Sequence, residues 1–330
     1  MSRFSKVIIN ISLLAATSAG LLCCSPKTAT APVAKAPLEN ALSPDLKKAQ
    51  LEKWCEESRA AFKKIKWKID PCTGAAGAVD WRVAGLSVEG RPLVFAEFGN
   101  PNALNTTLIF SSVHGDEITP LYLGIELAHW LNEHRGDLSQ KRVVIAPLVN
   151  PDGFFRKPRT RTNAHGVDVN RNFATTDWTK AAMKAWKVKY HSDPRRFPGS
   201  TPWSEPETLF QEQLIKMFRP QKILSVHSPL NHMDYDGPSA ITLSKFPTDY
   251  IQECLRLRVR LKAISTGFFP GSLGNYAGRE LGIPTITLEL PSADPNKAER
   301  YWKNFRKGIK TMIDFTVPDY ALANAKNLSN

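Results

Sequence analysis

Apolar positions recur along this chain with two different periods. Over 48–66, Leu51, Trp54, Cys55, Ala61 and Phe62 form a loose apolar stripe among Lys and Glu, which predicts a helix. From Trp81 onward, short apolar runs alternate with longer amphipathic ones. The runs 91–100, 106–113, 141–149, 222–226 and 283–290 are rich in Val, Ile, Leu, Thr and Phe and predict strands. Helical spacing marks 121–134, 204–218, 250–265 and 298–315, and Pro120 stands where a first-turn proline is tolerated. This alternation predicts one α/β domain over 81–318, with a tail at 319–330. No internal repeat and no second linker interrupts it.

The strand ends are polar in a consistent way. His114 follows 106–113, Asn150-Pro151-Asp152-Gly153 follows 141–149, His227 follows 222–226, and Glu289 lies near the end of 283–290. In an open α/β sheet, ligands bind outside the carboxyl ends of the strands. Any one of these residues alone reads as an ordinary strand end. Four strands delivering polar groups to one edge read as a candidate site.

Composition adds a location. The chain has 330 residues, 42% hydrophobic and 23% charged, with a mean hydropathy of -0.29, enough for one large core. A formal net charge of +13 favours anionic partners such as acidic lipid, nucleic acid or an acidic polymer. No Lys/Arg-rich block with interleaved aromatics stands out, which argues against nucleic acid. Arg3 and Lys6 precede an apolar run at 7–22, of signal-peptide length and short for a membrane span. The run ends at Cys23-Cys24, which resembles a bacterial lipoprotein signal. Cys24 is the candidate for acylation, because the small residue Cys23 precedes it. Residues 1–24 are therefore expected to direct export to the periplasm, with a lipid anchor in a membrane. The Ala/Pro-rich stretch 25–47 is expected to be a flexible tether, and 48–80 a helical extension. In an exported chain Cys55 and Cys72 are candidates for a disulfide, leaving Cys254 as a lone thiol.

The stretch "SSVHGDEITP" (111–120) carries the first candidate chemistry. His114 and Glu117 reach one metal if the chain turns between them, and Gly115 permits a sharp turn. Catalytic zinc takes three protein ligands, two histidines and a glutamate being one known set. His227 is the natural third, since none of His129, His134, His165, His191 and His232 directly follows a buried strand. Zinc lowers the pKa of a bound water to about 7, and peptide hydrolysis also needs a base, for which Glu289 stands at a strand end. Asp116 is a candidate for orienting a ligand imidazole. The segment 156–171 holds Arg156, Lys157, Arg159, Arg161 and Arg171 against Asp168 alone. It reads either as a solvated basic loop or as a binder of carboxylates and oxyanions, with Asn170 and Arg171 in the constrained "GVDVNRNF".

Together these segments resemble the zinc carboxypeptidase family, the carboxypeptidase A-like metallopeptidases. The resemblance runs in order through "GLSVEGRPL" (85–93), "HGDE" (114–117), "NPDG" (150–153), "RTNAHGVDVNRNF" (161–173), "SVHSPL" (225–230), "GSLGNYAG" (271–278) and "ITLELP" (286–291). It implies an α/β fold with a central mixed, mostly parallel twisted sheet of about eight strands flanked by helices. It implies one zinc ion on His114, Glu117 and His227, with Glu289 as general base. Arg161 would stabilise the oxyanion, with Arg159 competing for that role. Asn170 and Arg171 would hold the substrate's terminal carboxylate. The family's substrate-capping tyrosine should precede "GSLG", where this chain has Phe268 and Phe269; Tyr276 follows the motif instead. "HSPLNHMDYDGP" and "GSLGNYAG" are more similar to the bacterial cell-wall branch, the murein peptide amidases and DL-carboxypeptidases. That implies peptidoglycan stem peptides as substrate and the γ-D-glutamyl–meso-diaminopimelate bond as target. A carboxypeptidase of ordinary L-peptides, a zinc-dependent deacylase of acyl-amino acids and a non-catalytic peptidoglycan-binding module remain as alternatives. The oligomeric state is left open.

Overall fold

A strand that is apolar on both faces needs cover on both faces, and this chain folds to provide it. The computed structural model describes residues 42–237, 260–261 and 269–317. Helix α1 (Pro44–Ile65) comes first, followed by a small hairpin of β1 (Thr73–Gly74) and β2 (Gly77–Ala78). The main sheet is built from β3 (Trp81–Leu86), β4 (Pro92–Gly99), β5 (Asn105–Ser111), β6 (Lys141–Ala146), β7 (Lys222–His227), β8 (His232–Asp236), β9 (Arg260–Leu261) and β10 (Thr285–Glu289). Their order is β3-β4-β6-β5-β7-β10-β8-β9, the last being a two-residue edge. The central β6, β5, β7 and β10 are parallel, while β3, β4 and β8 add antiparallel pairs. The remaining helices are α2 (Ile118–Glu133), α3 (Pro151–Phe155), α4 (Trp178–Lys184), α5 (Pro206–Phe218) and α6 (Ala298–Asp314).

Successive residues of the central strands enter two separate cores. Ile109, Val143, Ile145 and Leu224 join one, packed with α1, α2 and α6. Leu108, Phe110, Val144 and Ile223 join the other, packed with α5. The period-two alternation of a strand sends neighbours to opposite faces, so both faces are apolar and both are covered.

The sheet is mixed and mostly parallel at its centre, in line with the expectation from the resemblance. The N-terminal boundary differs. A tether to residue 47 was expected, but α1 starts at Pro44, where Ser43 caps the helix by accepting from the Leu46 amide at 3.3 Å. Its Trp54 and Phe62 are 1% exposed, and Trp54 meets Trp81 of β3 edge-on at 5.5 Å. The Cys55–Cys72 disulfide, with a Cα–Cα separation of 5.9 Å, ties the extension to itself. Residues 48–80 are therefore part of the domain core rather than an appendage.

The expected helix 250–265 lies largely outside the described residues, and its described part, Arg260–Leu261, is an edge strand. The export signal, Cys24, the tether up to residue 41, Cys254 and the tail 319–330 also lie outside them. Among the described residues no helix is long and apolar enough to cross a membrane.

Candidate metal centre and its cavity

The turn after β5 is shaped by close packing. Ser112 takes a left-handed φ of 47°, and its hydroxyl donates to the Glu117 carbonyl at 3.2 Å. Gly115 is required for a different reason than a sharp turn. A Cβ there would lie 2.1 Å from the Gly153 carbonyl carbon, so two loops meet where only glycine fits. Opposite it, Asn150 caps α3 by accepting from the Gly153 amide at 2.9 Å and donates to the Arg161 carbonyl at 3.1 Å. The segment 150–153 thus acts as a scaffold for Arg161. Its Asp152 turns away to Ser87 Oγ at 2.7 Å and Arg91 Nη1 at 2.9 Å.

His114, Glu117 and His227 come together, 2%, 6% and 3% exposed. His114 Nδ1 lies 2.7 Å from Glu117 Oε1 and 3.2 Å from His227 Nδ1, and His227 Nδ1 lies 2.9 Å from Glu117 Oε2. One ligand atom from each lies within 4.8 Å of the others. Ligand atoms on a tetrahedral zinc with bonds of about 2.0–2.1 Å stand about 3.3 Å apart, so this donor set fits a zinc ion. Two imidazole nitrogens and a carboxylate facing one another in a buried site call for a cation between them.

The outward nitrogens are anchored. His114 Nε2 meets Asp168 Oδ1 at 3.1 Å, and His227 Nε2 meets Ser225 Oγ at 2.9 Å. Such partners fix the ring orientation of a ligand histidine. Asp116, expected in this role, does not hold it. Its carboxylate pairs with Arg195 at 2.7 Å instead. Asp168 was visible only as the lone acid in a basic segment. Burial would raise its pKa, but Arg161 and His114 outweigh burial and hold it well below the usual carboxylate range. Glu117 is likewise buried, yet His114 and His227 hold it low.

A cavity of about 660 Å³ opens onto these ligands. Arg161 lines it, its Nε donating to Asp168 at 2.9 Å and its Nη1 to Glu117 at 3.3 Å. Glu289 lines it from the end of β10, beside His227 in register, and accepts from the Leu230 amide at 3.3 Å. Burial pushes the Glu289 carboxyl up, and neighbouring Glu117 adds to that against His227. Asn170 and Arg171 line it as well. Because Asn170 Oδ1 accepts from the Leu273 amide at 2.8 Å, its amide nitrogen is the group left for a ligand. Arg171 Nε and Tyr190 Oη are buried without a hydrogen-bond partner among the described residues. Two unpartnered buried donors on the wall of one cavity suit an anionic ligand. Tyr190 was missed in the sequence, where nothing distinguishes it from a surface tyrosine.

Two expected contacts are absent from this cavity. Arg159 does not line it; its guanidinium lies over the Phe154 ring at 4.8 Å. Tyr276 is 9% exposed and packs between Phe173 and Trp203, at 5.3 and 5.0 Å, in the second core. Phe269, by contrast, does line the cavity, beneath the Arg171 guanidinium at 4.7 Å.

Comparison with known proteins places this arrangement. The Peptidase_M14 family model, zinc carboxypeptidase, matches residues 77–254. Murein peptide amidase A of Escherichia coli (strain K12) is 31% identical over 222 residues, covering 66% of this chain and 84% of the relative. The crystal structure of murein-tripeptide amidase MpaA from Escherichia coli O157 superposes with a TM-score of 0.53 at 26% identity, covering 74% of this chain and 96% of that one. Carboxypeptidase A from Helicoverpa armigera, 20% identical, shares the fold with a TM-score of 0.55 over 83% of this chain and 73% of that one.

Proposed function

The chain belongs to the zinc carboxypeptidase family and is a metallopeptidase, and we propose that it trims peptidoglycan stem peptides at the γ-D-glutamyl–meso-diaminopimelate bond. One observation carries this reading. A single cavity holds the three-ligand donor set, Glu289, Arg161 and the Asn170–Arg171 pair. The similarity to murein peptide amidase A supports the choice of substrate.

One zinc ion on His114, Glu117 and His227 would supply Lewis acidity and make water nucleophilic near neutral pH. The chain's own residues do the rest. Asn170 and Arg171 take the terminal carboxylate of the substrate, which orients the scissile bond toward Glu289. Glu289 accepts a proton from the attacking water and returns it to the leaving amine; its raised pKa makes it a better base than an ordinary carboxylate. Arg161 directs positive charge at the oxyanion that develops on the carbonyl. Asp168 and Ser225 keep the two imidazoles in place while charge moves.

The proposal extends to the N-terminus: export by residues 1–24 and acylation of Cys24, with the positive net charge suited to an anionic wall polymer. Incubation with muropeptides carrying tri-, tetra- and pentapeptide stems, with and without a chelator, tests the activity. Mass spectrometry should detect the released fragment that begins at diaminopimelate, which is free diaminopimelate for the tripeptide stem, only without the chelator. Cleavage of ordinary L-peptides with no release from any stem would refute the substrate. Membrane fractionation of the full chain beside a Cys24→Ser variant checks the anchor.

A further inference from the structure

Helix α6 is apolar on one side and charged on the other. Trp302, Phe305, Ile309 and Met312 are buried in the first core, while Arg300, Lys303, Arg306 and Lys310 are exposed. At about 100° per residue these four cations fall within an arc of about 120°, and the helix's 17 residues carry that stripe about 25 Å. The stripe crosses the sheet from edge to edge. At its C-terminal end the Ile313 and Phe315 carbonyls accept from Asn105 Nδ2 at 3.3 Å and Lys222 Nζ at 2.7 Å, and Asp314 pairs with Lys141 at 2.5 Å. Those three partners open β5, β7 and β6, so this end stands at the edge opposite the cavity.

A second basic segment adjoins the N-terminal end of α6. Lys63, Lys64, Lys66 and Lys68 are exposed at the end of α1 and just beyond it. The segment is held in place. Trp67 Nε1 donates to the Pro295 carbonyl at 3.0 Å, and its ring meets Phe62 and Tyr122 edge-on at 5.0 and 5.1 Å. Lys63, Lys66 and Lys68 line an open hollow of about 440 Å³ there. Lys303, and after it Lys68, hold the Glu299 carboxyl below its usual range, which joins this segment to the stripe. The acids on this surface are engaged locally: Asp70 pairs with Arg59 at 2.5 Å and Glu299 with Lys303 at 2.6 Å. Helix α2 adds Glu126 and Glu133, and the surface still keeps a surplus of positive charge.

We propose that this helical layer docks on a bilayer of anionic phospholipid, whose headgroups meet the 63–68 segment and the stripe of α6. The cations are spread along a convex helix instead of converging on one point, which suits a continuous anionic surface better than a single anion. Helix α1 of the same layer follows directly on the Ala/Pro-rich segment that leads from Cys24. The proposal rests on the reading of Cys24 as acylated only for what brings the bilayer within reach. One acyl chain binds a membrane reversibly, and a basic patch beside it makes the anchoring stable. Because the stripe runs between the two edges of the sheet, docking through it sets the cavity mouth beside the bilayer and not against it.

The zinc-loaded full chain carrying Cys24→Ser, which cannot be acylated, is sedimented with vesicles of phosphatidylcholine alone and of phosphatidylcholine mixed with phosphatidylglycerol. The apolar run at 7–22 contributes to both, so the difference reads charge. Binding to the anionic vesicles should be about 100-fold or more tighter, and should weaken with added salt. The combined changes Lys63→Gln, Lys66→Gln and Lys68→Gln should remove about 10- to 100-fold of it, and so should Arg300→Gln, Arg306→Gln and Lys310→Gln together. Zinc content and thermal unfolding show that these variants fold. Removing the same charge elsewhere, by Lys180→Gln, Lys184→Gln and Lys187→Gln, should cost little. Equal losses in all three sets would leave net charge as the cause and overturn the proposal. So would equal binding to both kinds of vesicle, or anionic binding that the first two sets leave intact. Variants that keep vesicle binding but no longer pellet with insoluble cell-wall polymer would overturn it in favour of an acidic polymer. If Cys24 proves unacylated in cells, the anchor reading fails, while a vesicle preference that the first two sets abolish still supports the docking face.

Discussion

Two clusters of buried ionisable groups lie close together in this fold, and they answer the same cost in opposite ways. In the first, around His114, Glu117 and His227, ligand atoms face one another across 2.7–3.2 Å. In the second, Asp152, Glu205 and Glu207 are 1%, 3% and 0% exposed, but each meets donors. Ser87 Oγ and the Glu89 amide serve Asp152. Asn163 Nδ2 serves both Glu205 and Glu207, at 2.6 and 2.8 Å. Acceptors that converge on each other call for a cation, whereas acceptors that converge on donors form a scaffold. The scaffold has a purpose. Asn163 belongs to the same loop as Arg161 and Asp168, so the second cluster holds that loop against the first. Burial acts on both. At Glu117 the two histidines overcome it, while at Glu207 burial, helped by Asp152 and Glu205, pushes the pKa up to about 7.

The strongest way to break this contrast is at the metal centre. Glu289→Gln should keep its zinc, measured by elemental analysis, and lose about 10²- to 10⁴-fold in kcat. Full activity in that variant would remove Glu289 from the chemistry.

Next in size is a stability effect at the scaffold. Below about pH 4.5 Glu207 is protonated in both folded and unfolded chains. Between about 4.5 and about 7 the unfolded chain ionises while the folded one stays protonated. Folding stability should therefore fall by about 3 kcal/mol as pH rises through that window. Urea titrations of the protein and of Glu207→Gln at several pH values read the difference, which should vanish in the variant without loss of bound zinc. A variant that loses its metal would show that the two clusters are not separable.

The smallest expected effect sits at the border between them. Asp168→Asn should weaken zinc binding by about 10- to 100-fold in chelator competition, because the His114 ring loses its charged partner. Unchanged affinity would assign Asp168 to the scaffold instead.

Much of the fold was legible because its strands are buried on both faces. "TTLIFSSV" and "KRVVIAPLV" are continuous apolar runs, and they form β5 and β6 at the centre of the sheet. Strand β8 was not legible, since "HMDYD" alternates polar and apolar and borders the cavity. The choice between Asp116 and Asp168 had no signal in the sequence either. Asp116 lies next to the ligands in sequence, but Arg195 takes it; Asp168 lies 54 residues from His114 and reaches its ring.

The amino-acid sequence by itself determined which strands are buried and which residue types stand at their ends, because periodicity and burial are local properties of the chain. It placed His114, Glu117, His227 and Glu289 as candidates for that reason. Only the tertiary structure decided which side chains meet. It put Tyr276 in the core, Arg159 on Phe154, and Arg161 against both Glu117 and Asp168. Those choices depend on how loops distant in sequence dock at the sheet edge, where a single glycine contact such as Gly115 on Gly153 sets what can approach.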